Sequence, residues 1–198
     1  MTTRSSGELT RGAPLLLLAA IVALALNLRP AMAAVGPLLD LIETATGMDS
    51  TAASLLTTLP VLMIGVGALS IRPLRRRLGE RRGILLGALL IGAACLVRVL
   101  FRDTASLIAS AVVVGVGVAL IQALAPVVIK RAFPERFGTV MALYTTGIMG
   151  GAAIAAATAA GLAEAIGWAG TLALWSLPAF VAAVVWLTIR AIEKNKPI

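Results

Sequence analysis

"LALNLRPAMAAVGPLL", residues 24–39, interrupts an apolar run that is otherwise almost unbroken from Pro14. Asn27, Arg29 and Pro30 stand where a buried helix would carry leucine or alanine. Proline has no backbone N–H and strips a hydrogen bond from the preceding turn. Arginine is charged at every physiological pH. What the pair means depends on the solvent around it.

Composition identifies that solvent. Hydrophobic residues make up 60% of the 198-residue chain and charged residues only 13%, with a mean hydropathy of +1.00. A soluble domain carries about 25% charged residues, so this chain lacks the polar surface to cover a water-soluble core. It reads as an all-α integral membrane protein, in which the structural unit is a span of roughly 20 apolar residues. Strands are excluded as open elements, because lipid leaves their edge groups unpaired.

The net charge of +8 does not indicate a nucleic-acid partner. Such a partner needs basic residues gathered on a water-facing surface, and here they lie in short blocks between apolar runs, where they set topology. Cys95 is the single cysteine and histidine is absent. No intrachain disulfide, metal centre or cofactor is expected, and the usual proton shuttle is missing. With no phosphate loop or nucleophile–base–acid set, and with Glu80 and Glu135 read as isolated loop acids, no catalytic residue and no enzyme activity are expected.

Six spans follow from the apolar runs: 14–37, 51–71, 83–101, 105–129, 138–163 and 168–189. They define a transmembrane domain over residues 14–190 between tails at 1–13 and 191–198. One set of connections holds Arg4, Arg11, the arginines of 72–82, Lys130, Arg131, Arg136, Arg190, Lys194 and Lys196. The other holds Arg102 as its one basic residue, with Asp40, Glu43, Asp49, Asp103 and Glu164. The positive-inside rule then puts both termini in the cytoplasm of a plasma-membrane protein. A competing reading treats Arg4, Arg11, the first apolar run and "AMA" (31–33) as a cleavable signal peptide. Arg29 and Pro30 just before the cut argue against it.

Pro30 lies at the far end of the first span and Pro126 at the far end of the fourth, so the two fall at opposite faces. Proline-interrupted segments in corresponding halves are what an inverted 3+3 repeat produces. A basic loop, "RPLRRRLGERRGILLG" (72–87), follows the second span. Together these resemble the N-terminal half of a major facilitator superfamily transporter. The superfamily's signature there is Gly-x-x-x-Asp-Arg-x-Gly-Arg-Arg. Arg77, Gly79, Arg81 and Arg82 fit it roughly, while Arg76 occupies the acidic position and Arg72 the leading glycine. "NLRPAMAAVGPLLDLI" (27–42), "LLTTLPVL" (55–62), "IQALAPVVIKRAFPERFG" (121–138) and "GWAGTLALWSLPA" (167–179) are similar to the cyanate and nitroimidazole branch of that superfamily. The resemblance implies half of a twelve-helix fold, with the substrate path between two halves. It implies secondary transport by alternating access, with a gating role for Arg76, Arg77, Gly79, Arg81 and Arg82.

Arg29 lies about 22 Å into the first span at 1.5 Å per residue. An arginine at that depth costs at least ~2.5 kcal/mol and persists only with a partner or a wet cavity. No aspartate or glutamate lies well inside any span. A small bound anion is therefore one candidate partner, matched by the guanidinium's fork of donors. The alternative is structural: Arg29 reaches the interface or bonds the carbonyl that Pro30 leaves free at Leu26. Gln122 and Tyr144 are further candidates to line a substrate path, helix–helix hydrogen bonding being the other reading. Arg98 is expected to reach for the outer interface, and the glycines of "GIMGGAAIAAATAAG" (147–161) to serve close packing. Pro30, Pro60, Pro126 and Pro178 are expected to kink their helices.

Two function classes stand. The first is transport of a small anionic or polar solute, with the lipid bilayer and a second copy or separate C-terminal half as partners. The second is a truncated or non-transporting six-span protein that packs with partner helices.

Overall fold

A computed structural model describes residues 6–69 and 76–194, with side chains over 15–69 and 76–188. Arg4, Arg72, Arg75 and Lys196 lie outside these residues, with residues 1–5 and 195–198 of the two tails, as do the side chains of Arg11, Arg190 and Lys194. Eight helices are labelled here in chain order: α1 Ser6–Asn27, α2 Pro30–Ala33, α3 Leu39–Thr46, α4 Ser50–Leu69, α5 Glu80–Leu100, α6 Thr104–Ala132, α7 Phe137–Leu174 and α8 Ser176–Lys194.

Among the described residues, five segments are long and apolar enough to cross a membrane: Leu15–Thr46, Ser50–Leu69, Glu80–Leu100, Thr104–Ala132 and Pro134–Thr188. The first outruns the expected 14–37. Pro37 does not end it, because Gly36–Leu38 tightens into a 3₁₀ turn that feeds α3. Asp40 and Glu43 therefore sit on a helix rather than in a connecting loop. The fifth segment covers both of the last two expected runs. Two helices meet within it at a kink at Gly167, whose φ of +76° is a left-handed conformation that glycine alone adopts cheaply. α4 and α6 run uninterrupted through Pro60 and Pro126.

α6 is central, packed along α4 on one side and α5 on the other; α1 lies against α7 and α8, and α8 also against α5. Asp103 caps α6 by accepting from the Ser106 N–H at 2.9 Å, and that backbone bond holds its carboxyl below the usual range. At the other end of α5 and α6, Glu80 pairs with Arg131 at 3.1 Å, so Glu80 is not the isolated acid expected. The pair is solvent-exposed on the arginine side, which limits it to about 1 kcal/mol or less. Trp186 of α8 donates to the Arg81 carbonyl at 3.1 Å and ties the last helix to the same corner.

Close approach of α7 to α1 depends on two glycines. A Cβ at Gly147 would meet the Ala25 methyl at 3.0 Å, and one at Gly151 would collide with the Leu26 carbonyl. In lipid, where apolar side chains gain little by avoiding tails, such packing supplies much of the association energy.

Arg98 overturns its expected role. It is 2% exposed and does not reach the interface. Its Nε donates to Ser110 Oγ at 2.9 Å and one Nη donates to the Ala31 carbonyl at 2.9 Å. Ser110 in turn donates to the Leu107 carbonyl at 2.7 Å. The physical reason is local. Ala31's carbonyl would normally accept from Val35, but the Val35 N–H bonds Met32 instead, at 3.2 Å. Arg98 takes the released acceptor and fastens α5 and α6 to α2.

Two outcomes follow from this packing. Gly151→Leu should lower the melting temperature and the folded yield, by overpacking worth about 1–3 kcal/mol, whereas Gly138→Ala, which faces open space, should be neutral; detergent-solubilised thermal unfolding measures both. Arg98→Leu should destabilise by about 1–3 kcal/mol through the stranded Ala31 carbonyl, with Ser110→Ala milder. If R98L unfolds at the native temperature, the clamp carries no stability.

Candidate functional site

The site is built around the break in the first apolar segment. α1 stops at Asn27 because Pro30 cannot donate to Leu26 and because the preceding residues tighten: Leu28 N–H bonds Ala25 at 3.1 Å. Arg29 is the residue before α2, with φ −109° and ψ −14°. Its carbonyl accepts from both Met32 and Ala33, at 3.0 and 2.8 Å, so its backbone is committed to starting α2. Its side chain is half-buried, and the Nε is fully buried with no hydrogen-bond partner among the described residues.

Asn27, two residues earlier, is occupied locally: its Nδ2 donates to the Ala23 carbonyl at 2.7 Å. It borders a void of about 10 Å³ shared with Leu24, Leu28 and Ile121. That is room for one water, not for a solute.

Tyr144 of α7 is 3% exposed and belongs to the same buried cluster as Leu28 and Ala31, the residues flanking the break. Its hydroxyl is buried and unpartnered among the described residues. Gln122 of α6 is half-buried beside the buried Ile121. No hydrogen bond joins Arg29, Gln122 and Tyr144 among the described residues, so they are not a preassembled network. Thr145, next to Tyr144, is exposed and bonds back to the Met141 carbonyl at 2.9 Å.

Two polar groups of the region were not singled out as site residues from sequence. One is Arg98, the clamp on Ala31. Its partner Ser110 lies on the helix that follows the short connection at residues 101–103, and antiparallel helices joined by a tight turn pack side by side. The other is Trp175, at the junction of α7 and α8. It packs against both buried clusters, and its indole N–H is buried without a partner. Nothing in its spacing announces this.

The buried side-chain atoms left unpartnered among the described residues are the Nε of Arg29, the Oη of Tyr144 and the Nε1 of Trp175. Each carries a hydrogen to donate. No carboxylate faces them among the hydrogen bonds and ion pairs of the described residues. The chemistry on offer is donation to an acceptor that the described residues do not themselves provide. No cluster of three or more metal-ligating side chains exists among the described residues.

The basic corner lies elsewhere. Arg76, Arg77, Arg81 and Arg82 are exposed, and Gly79 adopts φ +70° as the residue before α5. Pro178 sits in the first turn of α8, where a missing N–H costs least.

Comparison with known proteins agrees with this helical, membrane-spanning architecture. The chain is 42% identical over 178 residues to the cyanate transport protein CynX of Escherichia coli K12, covering 89% of this chain and 46% of that protein. It is 35% identical to the uncharacterized transporter YycB of Bacillus subtilis 168, over 86% of this chain and 43% of the relative. It is 32% identical to the 2-nitroimidazole transporter of Escherichia coli K12, over 87% and 44%. The chain thus spans less than half the length of the curated relatives it matches. The model of the Major Facilitator Superfamily matches residues 15–198, and the chain is a multi-pass membrane protein belonging to that family.

Proposed function

We propose that the chain forms one six-span half of a secondary transporter for a small anionic or polar solute, working by alternating access. The observation that carries the anion reading is the Arg29 Nε, buried at a helix break and unpartnered among the described residues. A guanidinium in that setting gains most from a compact anion that accepts in its plane. Arg29 would bind the anion while Tyr144 and Gln122 line the path. The likeness to a cyanate transport protein supports a cyanate-like solute.

Six spans in a 3+3 inverted arrangement complete the proposal. A straight helix over the 55 residues of Pro134–Thr188 would run about 80 Å, far beyond the ~30 Å hydrocarbon core. The left-handed Gly167 is the natural point of reversal. Arg76, Arg77, Arg81, Arg82, Lys130, Arg131 and Arg136 then share one side, which the positive-inside rule makes cytoplasmic, with both termini there and the protein in the plasma membrane. The path is completed by six further helices, from a second copy or a separate C-terminal half. Within it, Arg76, Arg77, Gly79, Arg81 and Arg82 latch the cytoplasmic face, and Pro30, Pro60, Pro126 and Pro178 ease helix bending.

Cyanate binding to the purified chain tests the central assignment. Arg29→Gln should weaken binding by about 10- to 100-fold, the worth of one charged hydrogen-bonding group at 1.5–3 kcal/mol, and Arg29→Lys by less. Equal affinity in wild type and R29Q would remove Arg29 from the site.

A further inference from the structure

Where α4, α5 and α6 meet, the outer face of the bundle carries a groove of about 340 Å³. Its walls are Met63 and Val66 of α4, Leu86 and Leu90 of α5, and Val116 of α6; every residue lining it is apolar. The groove exists because α4 and α6 cross closely: a Cβ at Gly67 would meet the Ala119 methyl at 2.5 Å, so glycine is required at the crossing. Val66, Leu86 and Val116 are exposed, so the groove opens on the outside of the described helices.

Its depth and its mouth identify an occupant. Leu90 lies ten residues beyond Glu80 on α5, about 15 Å along the helix axis. That is half of the ~30 Å hydrocarbon core, the thickness of one leaflet. The groove ends at Leu78, the last residue of a helical turn that includes Arg76 and Arg77. Both arginines are exposed, and neither makes an ion pair among the described residues. An apolar slot one leaflet deep with two unspent guanidiniums at its polar end matches an amphiphile with an apolar tail and a negative head.

We propose that this groove is a binding site for an anionic phospholipid. One acyl chain lies along Val66, Leu86 and Val116, and the phosphate is held at Arg76 and Arg77. Basic clusters just outside helix ends attract anionic headgroups at the membrane surface. Here the adjoining slot adds a seat for the tail, which a solvated basic loop would not have. The assignment does not depend on what the chain transports.

Native mass spectrometry on the purified full chain tests it, after exposure to equal amounts of phosphatidylglycerol and phosphatidylcholine with identical acyl chains. The wild type should retain phosphatidylglycerol preferentially, by about fivefold for each arginine, equivalent to ~1 kcal/mol apiece. Arg76→Gln combined with Arg77→Gln should bring the two lipids close to parity. Leu86→Trp, which fills the slot from an exposed position, should reduce retention of both lipids; Val116→Phe provides the same test should L86W fail to fold. Equal retention by the wild type would overturn the proposal, as would a preference that survives the double arginine substitution. Unchanged retention in the slot-filling variants would overturn it too, by showing that the tail is seated elsewhere.

Discussion

A single carbonyl sets the geometry of one end of this bundle. At lipid depth each unsatisfied backbone group costs several kcal/mol, and the turn at Met32–Val35 leaves the Ala31 oxygen without its helical partner. Arg98 supplies the donor from another helix. The arginine has its own cost, since a buried guanidinium must recover its lost hydration. Each group solves the other's problem. Their bond fixes α2 on α5 and, through Ser110, on α6. Because α2 begins directly after Arg29, the bond also fixes where Arg29 begins its side chain.

The opposite side of the break is held by absence of bulk rather than by a bond. Pro30 leaves the Leu26 carbonyl without its usual donor, and Gly151 lets the backbone of α7 come up against that carbonyl. Gly147 repeats the approach one turn away, at Ala25. The interrupted first segment is thus gripped between α7 on one face and the Arg98 clamp on another. A helix with a missing hydrogen bond would ordinarily be the softest part of a membrane bundle. Here its softness is confined to the residues between the grips, Leu28 to Pro30, where Arg29 sits.

The membrane class, the helical architecture and the oddness of Arg29 were legible from residues alone, because hydropathy and charge placement act locally. What was not legible depended on which backbone groups the folded chain leaves open. Arg98 reads as an interfacial residue when only its distance from the helix end is counted; the decisive fact is a carbonyl 67 residues earlier in the chain. The end of the first segment was misjudged because Pro37 is compatible with the start of a 3₁₀ turn as well as with the end of a helix. Glu80 seemed isolated because its partner, Arg131, lies across the α5–α6 pair. Gly167 lies between two apolar runs that sequence separates readily, and its non-helical backbone marks the kink at which two helices meet. Tyr144 was picked out for its polarity in an apolar span, and its buried hydroxyl keeps that question open in chemical rather than sequence terms.

The two embedded arginines therefore divide their labour. Arg98 directs its Nε and one Nη to protein acceptors and is sealed from solvent, so its charge stabilises backbone. Arg29 is less deeply buried, and its Nε has no acceptor within the described chain. A single arginine could not sit in both environments, because a donor committed to a carbonyl is unavailable to any other acceptor. Placing them on different helices, joined through the short stretch from Arg29 to Ala31, lets one rigid cation hold the backbone from which the other projects. Neither is neutralised by a nearby carboxylate among the described ion pairs, so the positive potential of the first is added to that of the second.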